Sequence, residues 1–226
     1  MTALRLVVFD VDGTLVDSQG DILASMTMAF EAVGAPVPDH AAVLGIVGLS
    51  LDVAMPRLAP DLDRETHHAL VDAYKASYMT LRARVGAAQS SPLYPGVRAV
   101  LEQLAARDDL LLGVATGKSR RGLDKLLEGH GMERMFVTEQ VADFHPSKPH
   151  PSMLLAALAE TGVAARDAVM VGDTSYDMDM ARAAGLCGVG VTWGYHRPEA
   201  LTSANRLVDR FEALPGVLDE IWRDAA

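Results

Sequence analysis

The stretch Leu6-Val7-Val8-Phe9-Asp10-Val11-Asp12-Gly13-Thr14 decides the fold. Its first four residues are wholly apolar and rich in β-formers, with none of the polar alternation of a half-exposed strand. They predict a strand buried on both faces of a parallel sheet. Polar residues begin at Asp10, directly after that strand, and in a parallel sheet the ligand crevice lies outside the carboxyl ends of the strands.

The same pattern recurs outward from this stretch. Residues 110–115, 168–171 and 187–192 are similar apolar runs, 135–138 and 206–208 are weaker ones, and amphipathic helical segments separate most of them. That alternation predicts a doubly wound α/β fold. Pro95 opens a helix that places Val97, Val100, Leu101 and Leu104 on one face, and Gly162 closes another after Leu154, Leu155 and Leu158. Between the first strand and Ser91 no strand-like run occurs. Instead, Ile22, Leu23, Met26, Phe30 and Val33 form one helical stripe, and Leu70, Tyr74, Tyr78, Leu81 and Val85 another. Turn-rich segments 16–20 and 86–92 flank this block as two crossing linkers would. The expected organisation is an α/β core of residues 1–16 and 92–226 carrying an all-helical insert of residues 17–91.

Composition narrows the function classes. The 226 residues carry 20 Lys plus Arg against 30 Asp plus Glu, a formal charge of -10 that repels nucleic acid and anionic lipid surfaces. Half the residues are hydrophobic but only 5% aromatic, so the core must be built from Ala, Val, Leu and Met, and Met26, Met28, Met178 and Met180 read as core filler. The single Cys187 lies in an apolar run and is expected to be a buried thiol without a disulfide. The run after Arg5 is too short for a signal-peptide core or a membrane span, which makes the cytoplasm the expected compartment.

Four polar segments follow predicted strands or stand beside them: Asp10 to Thr14, Thr116-Gly117-Lys118, Ser147-Lys148-Pro149, and Gly172-Asp173 through Asp177. Asp10, Asp12, Asp173 and Asp177 are expected to converge at one sheet edge, where like charges cannot all stay ionised without a counter-ion. Mg²⁺ suits such a site better than Zn²⁺, because these loops lack Cys and His ligands. Thr116 and Gly117, where a strand passes into a helix, offer a hydroxyl and backbone N–H groups to an anion. Lys148 adds the fixed cation a phosphoryl group would need among carboxylates.

In these residues the chain resembles the haloacid dehalogenase superfamily. Asp10-Val11-Asp12-Gly13-Thr14 matches the motif D-x-D-G-T, Thr116 the second-motif hydroxyl, Lys148-Pro149 the third-motif lysine, and Gly172-Asp173 through Asp177 the motif G-D-x-x-x-D. The helical segment 17–91 resembles the cap inserted after the first strand in one branch. Within that branch the strings 93–97, 147–151 and 191–195 are most similar to phosphoglycolate phosphatases.

The resemblance implies a Rossmann-like core and hydrolysis of a small phosphorylated metabolite. Asp10 would be the nucleophile that becomes an aspartyl-phosphate, and Asp12 the proton shuttle. Mg²⁺ would be held by the Asp10 carboxylate, the Asp12 carbonyl and Asp173, with Asp177 acting at one remove. Thr116, Gly117 and Lys148 would hold the non-bridging oxygens. Gly48-Leu49-Ser50-Leu51 is either a substrate loop or an ordinary turn. Arg120 and Arg121 read as a solvated face that could also draw in a second anion, and His67, His68, His130, His145 and His150 as non-catalytic. Asp12 argues against a haloacid dehalogenase, which needs no proton donor for halide. A sugar phosphomutase and a binding or regulatory protein that keeps the fold stand as alternatives. Assembly is expected to be a monomer or a homodimer.

Overall fold

The computed structural model describes residues 4–224. Six parallel strands form one sheet: β1 (Arg5–Phe9), β2 (Leu110–Thr116), β3 (Thr138–Val141), β4 (Ala168–Gly172), β5 (Cys187–Val191) and β6 (Arg206–Val208). Their order is β3-β2-β1-β4-β5-β6, so the chain starts in the middle and winds outward in both directions. This is the doubly wound α/β topology.

The unbroken apolar run of β1 is explained by its two covered faces. Val7 and Phe9 join a cluster with helices α6 (Val97–Ala105), α7 (Arg120–His130) and α10 (Leu214–Asp224). Leu6 and Val8 face the opposite layer, made by α8 (Ser152–Thr161) and α9 (Ser175–Ala184). All four of these β1 residues are fully buried. Successive side chains alternate between faces, so a strand with helices on both sides needs apolar residues at every position.

Helices α1 (Gln19–Ala32), α2 (His40–Leu44), α3 (Leu51–Leu58), α4 (Arg64–Val85) and α5 (Ala87–Ser90) follow one another with no strand between them. Ile22, Met26, Phe30, Met55 and Leu70 build a separate apolar cluster there. The two chain crossings into this block lie side by side, joined by a bridge between Val16 and Leu93 and by the Asp17 N–H donating to the Pro92 carbonyl at 2.9 Å.

One strand lies elsewhere than its sequence suggests. The weak apolar run at 135–138 is not a strand; Phe136 turns into the core, Val137 is exposed, and the ladder begins only at Thr138. Residues 138–140 are polar, and Thr138 and Gln140 both donate to the Glu160 carboxylate, at 2.5 and 2.8 Å. A strand stabilised by side-chain hydrogen bonds has no hydrophobic signature. Cys187 is half-buried at the start of β5, and burial pushes its thiol up. Among the described residues no helix is long and apolar enough to cross a membrane.

Leu101 is fully buried in the cluster beneath β1 and β2. Leu101→Ala is expected to lower unfolding stability by about 2–5 kcal/mol through lost transfer energy and the cavity left behind. Urea unfolding followed by circular dichroism measures it.

Candidate active site

The register of the sheet brings the site together. Phe9 pairs with Val114 on one side and Val171 on the other, so Asp10, Thr116 and Asp173 emerge at one rim. The Asp10 N–H donates to the Val171 carbonyl at 2.9 Å, which fixes the residue at the end of its strand.

Asp10, Asp173 and Asp177 each present a carboxylate oxygen within 4.8 Å of the others, and all three are buried. One ammonium reaches two of them. Lys148 Nζ donates to Asp10 Oδ1 at 2.6 Å and to Asp177 Oδ1 at 2.7 Å, with its side chain fully buried. Asp177 closes a capping box at the start of α9, its Oδ2 accepting from the Thr174 N–H at 3.0 Å and hydroxyl at 2.6 Å. Asp173 accepts from the Thr14 hydroxyl at 2.9 Å and the Tyr195 N–H at 2.8 Å. Among the oxygens of these three carboxylates, Asp10 Oδ2 is the one buried without a partner.

The electrostatics follow from that arrangement. Burial pushes the Asp10 carboxyl up to about 7 against the pull of Lys148, with the Asp177 and Asp12 charges adding to the rise. Burial and the charges of Asp10 and Asp177 push Asp173 well above the usual carboxylate range. Burial works against the charge on Lys148, but the two carboxylates outweigh it and hold the ammonium above the ordinary lysine range. Three clustered carboxylates have one cation between them, paired with two, and one Asp10 oxygen is left without a partner. An all-oxygen donor set with surplus negative charge fits a hard metal cation.

Asp12 has a different environment. Its carboxylate is not among the three clustered ones; it accepts from the Ser18 hydroxyl and from Lys118 Nζ at 2.8 Å. The expected convergence of four carboxylates is thus one of three, with Asp12 set apart by its own cation. Lys118 has no role assigned by motif, although its place directly after Thr116 and Gly117 at a strand end puts it at the rim. Lys118 also donates to the Tyr78 hydroxyl of α4 at 3.2 Å.

Glycines make room at two points. A Cβ on Gly13, whose φ is +86°, would lie 2.2 Å from Asp173 Oδ2, so the D-x-D-G turn excludes any side chain there. A Cβ on Gly117 would lie 2.8 Å from the Gly48 carbonyl oxygen. The 48–51 segment therefore rests directly on the second-motif loop, and the Ser50 N–H donates to Ser147 Oγ at 2.9 Å, beside Lys148. Gly48, Leu49 and Leu51 line the same cavity as Asp10, Asp12 and Thr116. Thr116 is buried, its hydroxyl accepting from the Lys118 N–H at 3.2 Å.

Other candidates separate cleanly. Arg120 is committed to Asp124 at 2.8 Å and Glu139 at 2.5 Å, whereas Arg121 lines the cavity. His67 and His130 bond backbone carbonyls, and His145 bonds Ser152 and Gln140, so these three histidines serve local structure.

Comparison with known proteins agrees with this geometry. A family model described as haloacid dehalogenase-like hydrolase matches residues 7–191. The chain is 36% identical over 216 residues to "Probable phosphatase IndB" of Dickeya dadantii, covering 93% of this chain and 92% of that protein. It is 35% identical over 204 residues to a phosphoglycolate phosphatase of Yersinia pestis, covering 90% and 87%. The crystal structure of a predicted phosphoglycolate phosphatase from Haemophilus somnus superposes with a TM-score of 0.83 at 27% identity, covering 96% of this chain and 99% of that one. With the D-x-D-G-T turn, buried lysine and paired aspartates at the rim of a doubly wound sheet, the chain belongs to the haloacid dehalogenase-like hydrolases.

Proposed function

We propose that the protein is a cytoplasmic, Mg²⁺-dependent phosphatase that hydrolyses a small phosphomonoester through an aspartyl-phosphate on Asp10. The observation that carries this proposal is the state of the Asp10 carboxylate: Oδ1 is held by Lys148 at 2.6 Å, and Oδ2 is buried, unpartnered and next to the cavity. A carboxylate fixed by one oxygen and idle at the other is prepared to bond to an incoming electrophile.

In the first step an Asp10 oxygen bonds to phosphorus, the ester P–O bond breaks, and protonated Asp12 donates its proton to the departing alkoxide. In the second, water attacks the phosphorus of the aspartyl-phosphate, Asp12 takes a proton from it, and the bond to Asp10 breaks. Asp12 ends protonated as it began, and the net change is ester plus water to alcohol plus phosphate. Two residues apart on an extended segment, Asp10 and Asp12 are directed to the same side. Their separate partners, Lys148 for Asp10 and Ser18 with Lys118 for Asp12, support distinct roles. Thr116, the Gly117 backbone and Lys148 are assigned to the phosphoryl oxygens, where charge accumulates in the transition state.

Mg²⁺ would be held by the Asp10 carboxylate, the Asp12 carbonyl and Asp173, and would supply neutralising charge to the phosphoryl oxygens. Asp177, occupied by Lys148 and Thr174, is left to position the lysine. Residues 17–91 are proposed to act as the cap that excludes bulk water and selects the leaving group. The phosphoglycolate phosphatases among its relatives make phosphoglycolate one ester of the first panel.

Asp10→Asn is expected to reduce phosphate release from p-nitrophenyl phosphate by at least about 1,000-fold. Its thermal midpoint should fall little, because Lys148 keeps Asp177 and one crowded charge is gone. Substantial residual activity would remove Asp10 from its role. Chelation with EDTA should abolish turnover and added Mg²⁺ restore it; undiminished activity in EDTA would refute the metal requirement. Lys148→Met is expected to abolish turnover and also cost about 3–5 kcal/mol in urea unfolding, since it strands two buried carboxylates without a cation.

A further inference from the structure

The cavity over Asp10 and Asp12 encloses about 720 Å³. That lies within the roughly 300–1,000 Å³ typical of pockets for drug-sized ligands and far exceeds a phosphoryl group on a two-carbon alcohol. Its walls include Met26, Val47, Leu49 and Met79, which offer no hydrogen bonds to a polar leaving group. Its charges are uneven. Lys75, Arg82, Lys118, Arg121 and Lys125 line it, against only Asp10 and Asp12, in a chain whose net charge is -10. A local excess of cations in an acidic protein marks where an anion is drawn.

These cations are not equivalent. Lys118 is spent on Asp12 and the Tyr78 hydroxyl. Arg82, on α4, donates Nη1 to the Gly122 carbonyl at 3.2 Å, while its Nε and Nη2 are buried without acceptors. Those two nitrogens form one edge of the guanidinium, the edge that binds an oxyanion through two parallel hydrogen bonds. Buried idle donors on a charged group are costly, and a ligand oxyanion would satisfy both at once. Lys118 Nζ and Arg82 Cζ sit 5.2 and 5.9 Å from the centroid of the same Tyr78 ring, so the two cations share one wall of the cavity. The volume of the cavity leaves room for more than a two-carbon link between the phosphoryl group and an anion on Arg82.

We propose that Arg82 is a specificity-determining residue that binds a second oxyanionic group at the far end of the leaving alcohol. The favoured substrate is then a phosphomonoester whose alcohol is longer than two carbons, apolar in its middle, and anionic at its end. This rests on the phosphatase activity proposed above.

The test compares hexyl phosphate, 6-phosphonooxyhexanoate, hexane-1,6-diyl bisphosphate and phosphoglycolate with the wild-type enzyme and with Arg82→Met, which keeps an apolar stem. The wild type should favour the two end-charged six-carbon esters over hexyl phosphate by about 10- to 100-fold in kcat/KM, the range of a charge-assisted hydrogen-bond pair. The preferred end group tells carboxylate from phosphate. In Arg82→Met that ratio should collapse towards one, and Arg82→Lys should recover part of it. Equal use of charged and uncharged esters by the wild type, a preference that survives Arg82→Met, or phosphoglycolate outrunning the six-carbon esters would overturn the proposal. Calorimetric binding of the same esters to Asp10→Asn separates the two claims. Tighter binding of the end-charged esters that Arg82→Met abolishes supports the role of Arg82 even if the wild type hydrolyses nothing, in which case only the phosphatase assignment falls.

Discussion

Asp10, Asp173 and Asp177 are packed within 4.8 Å of one another, out of water, around the single ammonium of Lys148. At that separation each ionised pair repels by at least about 3 kcal/mol for an effective dielectric constant of about 20. Such a cluster persists only because the sheet and the glycine turns hold it together. Lys148 settles part of the charge, and the Thr14 and Thr174 hydroxyls with the Tyr195 N–H donate hydrogen bonds to Asp173 and Asp177. The surplus charge remains, concentrated on Asp10. The same tension that destabilises the rim gives the site its attraction for a metal cation and raises the Asp10 carboxyl.

The two aspartates of the first motif illustrate how surroundings divide labour between identical side chains. Asp10 is wholly buried and bonded to a buried lysine. Asp12 is slightly exposed, linked through Ser18 to the start of α1 and through Lys118 to α4. Its position thus depends on how the helical segment sits on the core. Tyr176 of α9 reinforces that seating by donating its hydroxyl to the Gly45 carbonyl at 2.9 Å, as does Ser147 by accepting from Ser50. Apolar contact joins them as well: Tyr195 packs on the apolar cluster of the helical segment, and Ala87 of α5 lies against Gly129 of α7.

The strands of the sheet's interior were legible because β1, β2, β4 and β5 are buried on both faces, and double burial writes an unbroken apolar run into the chain. The edge strand β3 was misplaced because its stability comes from Thr138, Gln140 and Glu160, a polar set with no periodic signal. The gathering of Asp10, Thr116 and Asp173 was legible because polar residues that end apolar strands of a parallel sheet must meet at one rim, whereas Lys148, in a loop, was legible through its match to the third motif.

Sequence by itself therefore determined the fold class, the helical segment and the list of charged residues at the rim, all of which follow from hydrophobic period and from where it stops. Tertiary structure alone decided their partnerships: that Asp12 leaves the carboxylate cluster for Lys118, that Asp177 is occupied by Thr174 and Lys148, and that Arg82, which lines the cavity, keeps two buried nitrogens unpaired. The reason is range. Burial acts on each segment's own side chains, whereas a hydrogen bond forms only when residues distant in the chain are set within about 3 Å of each other.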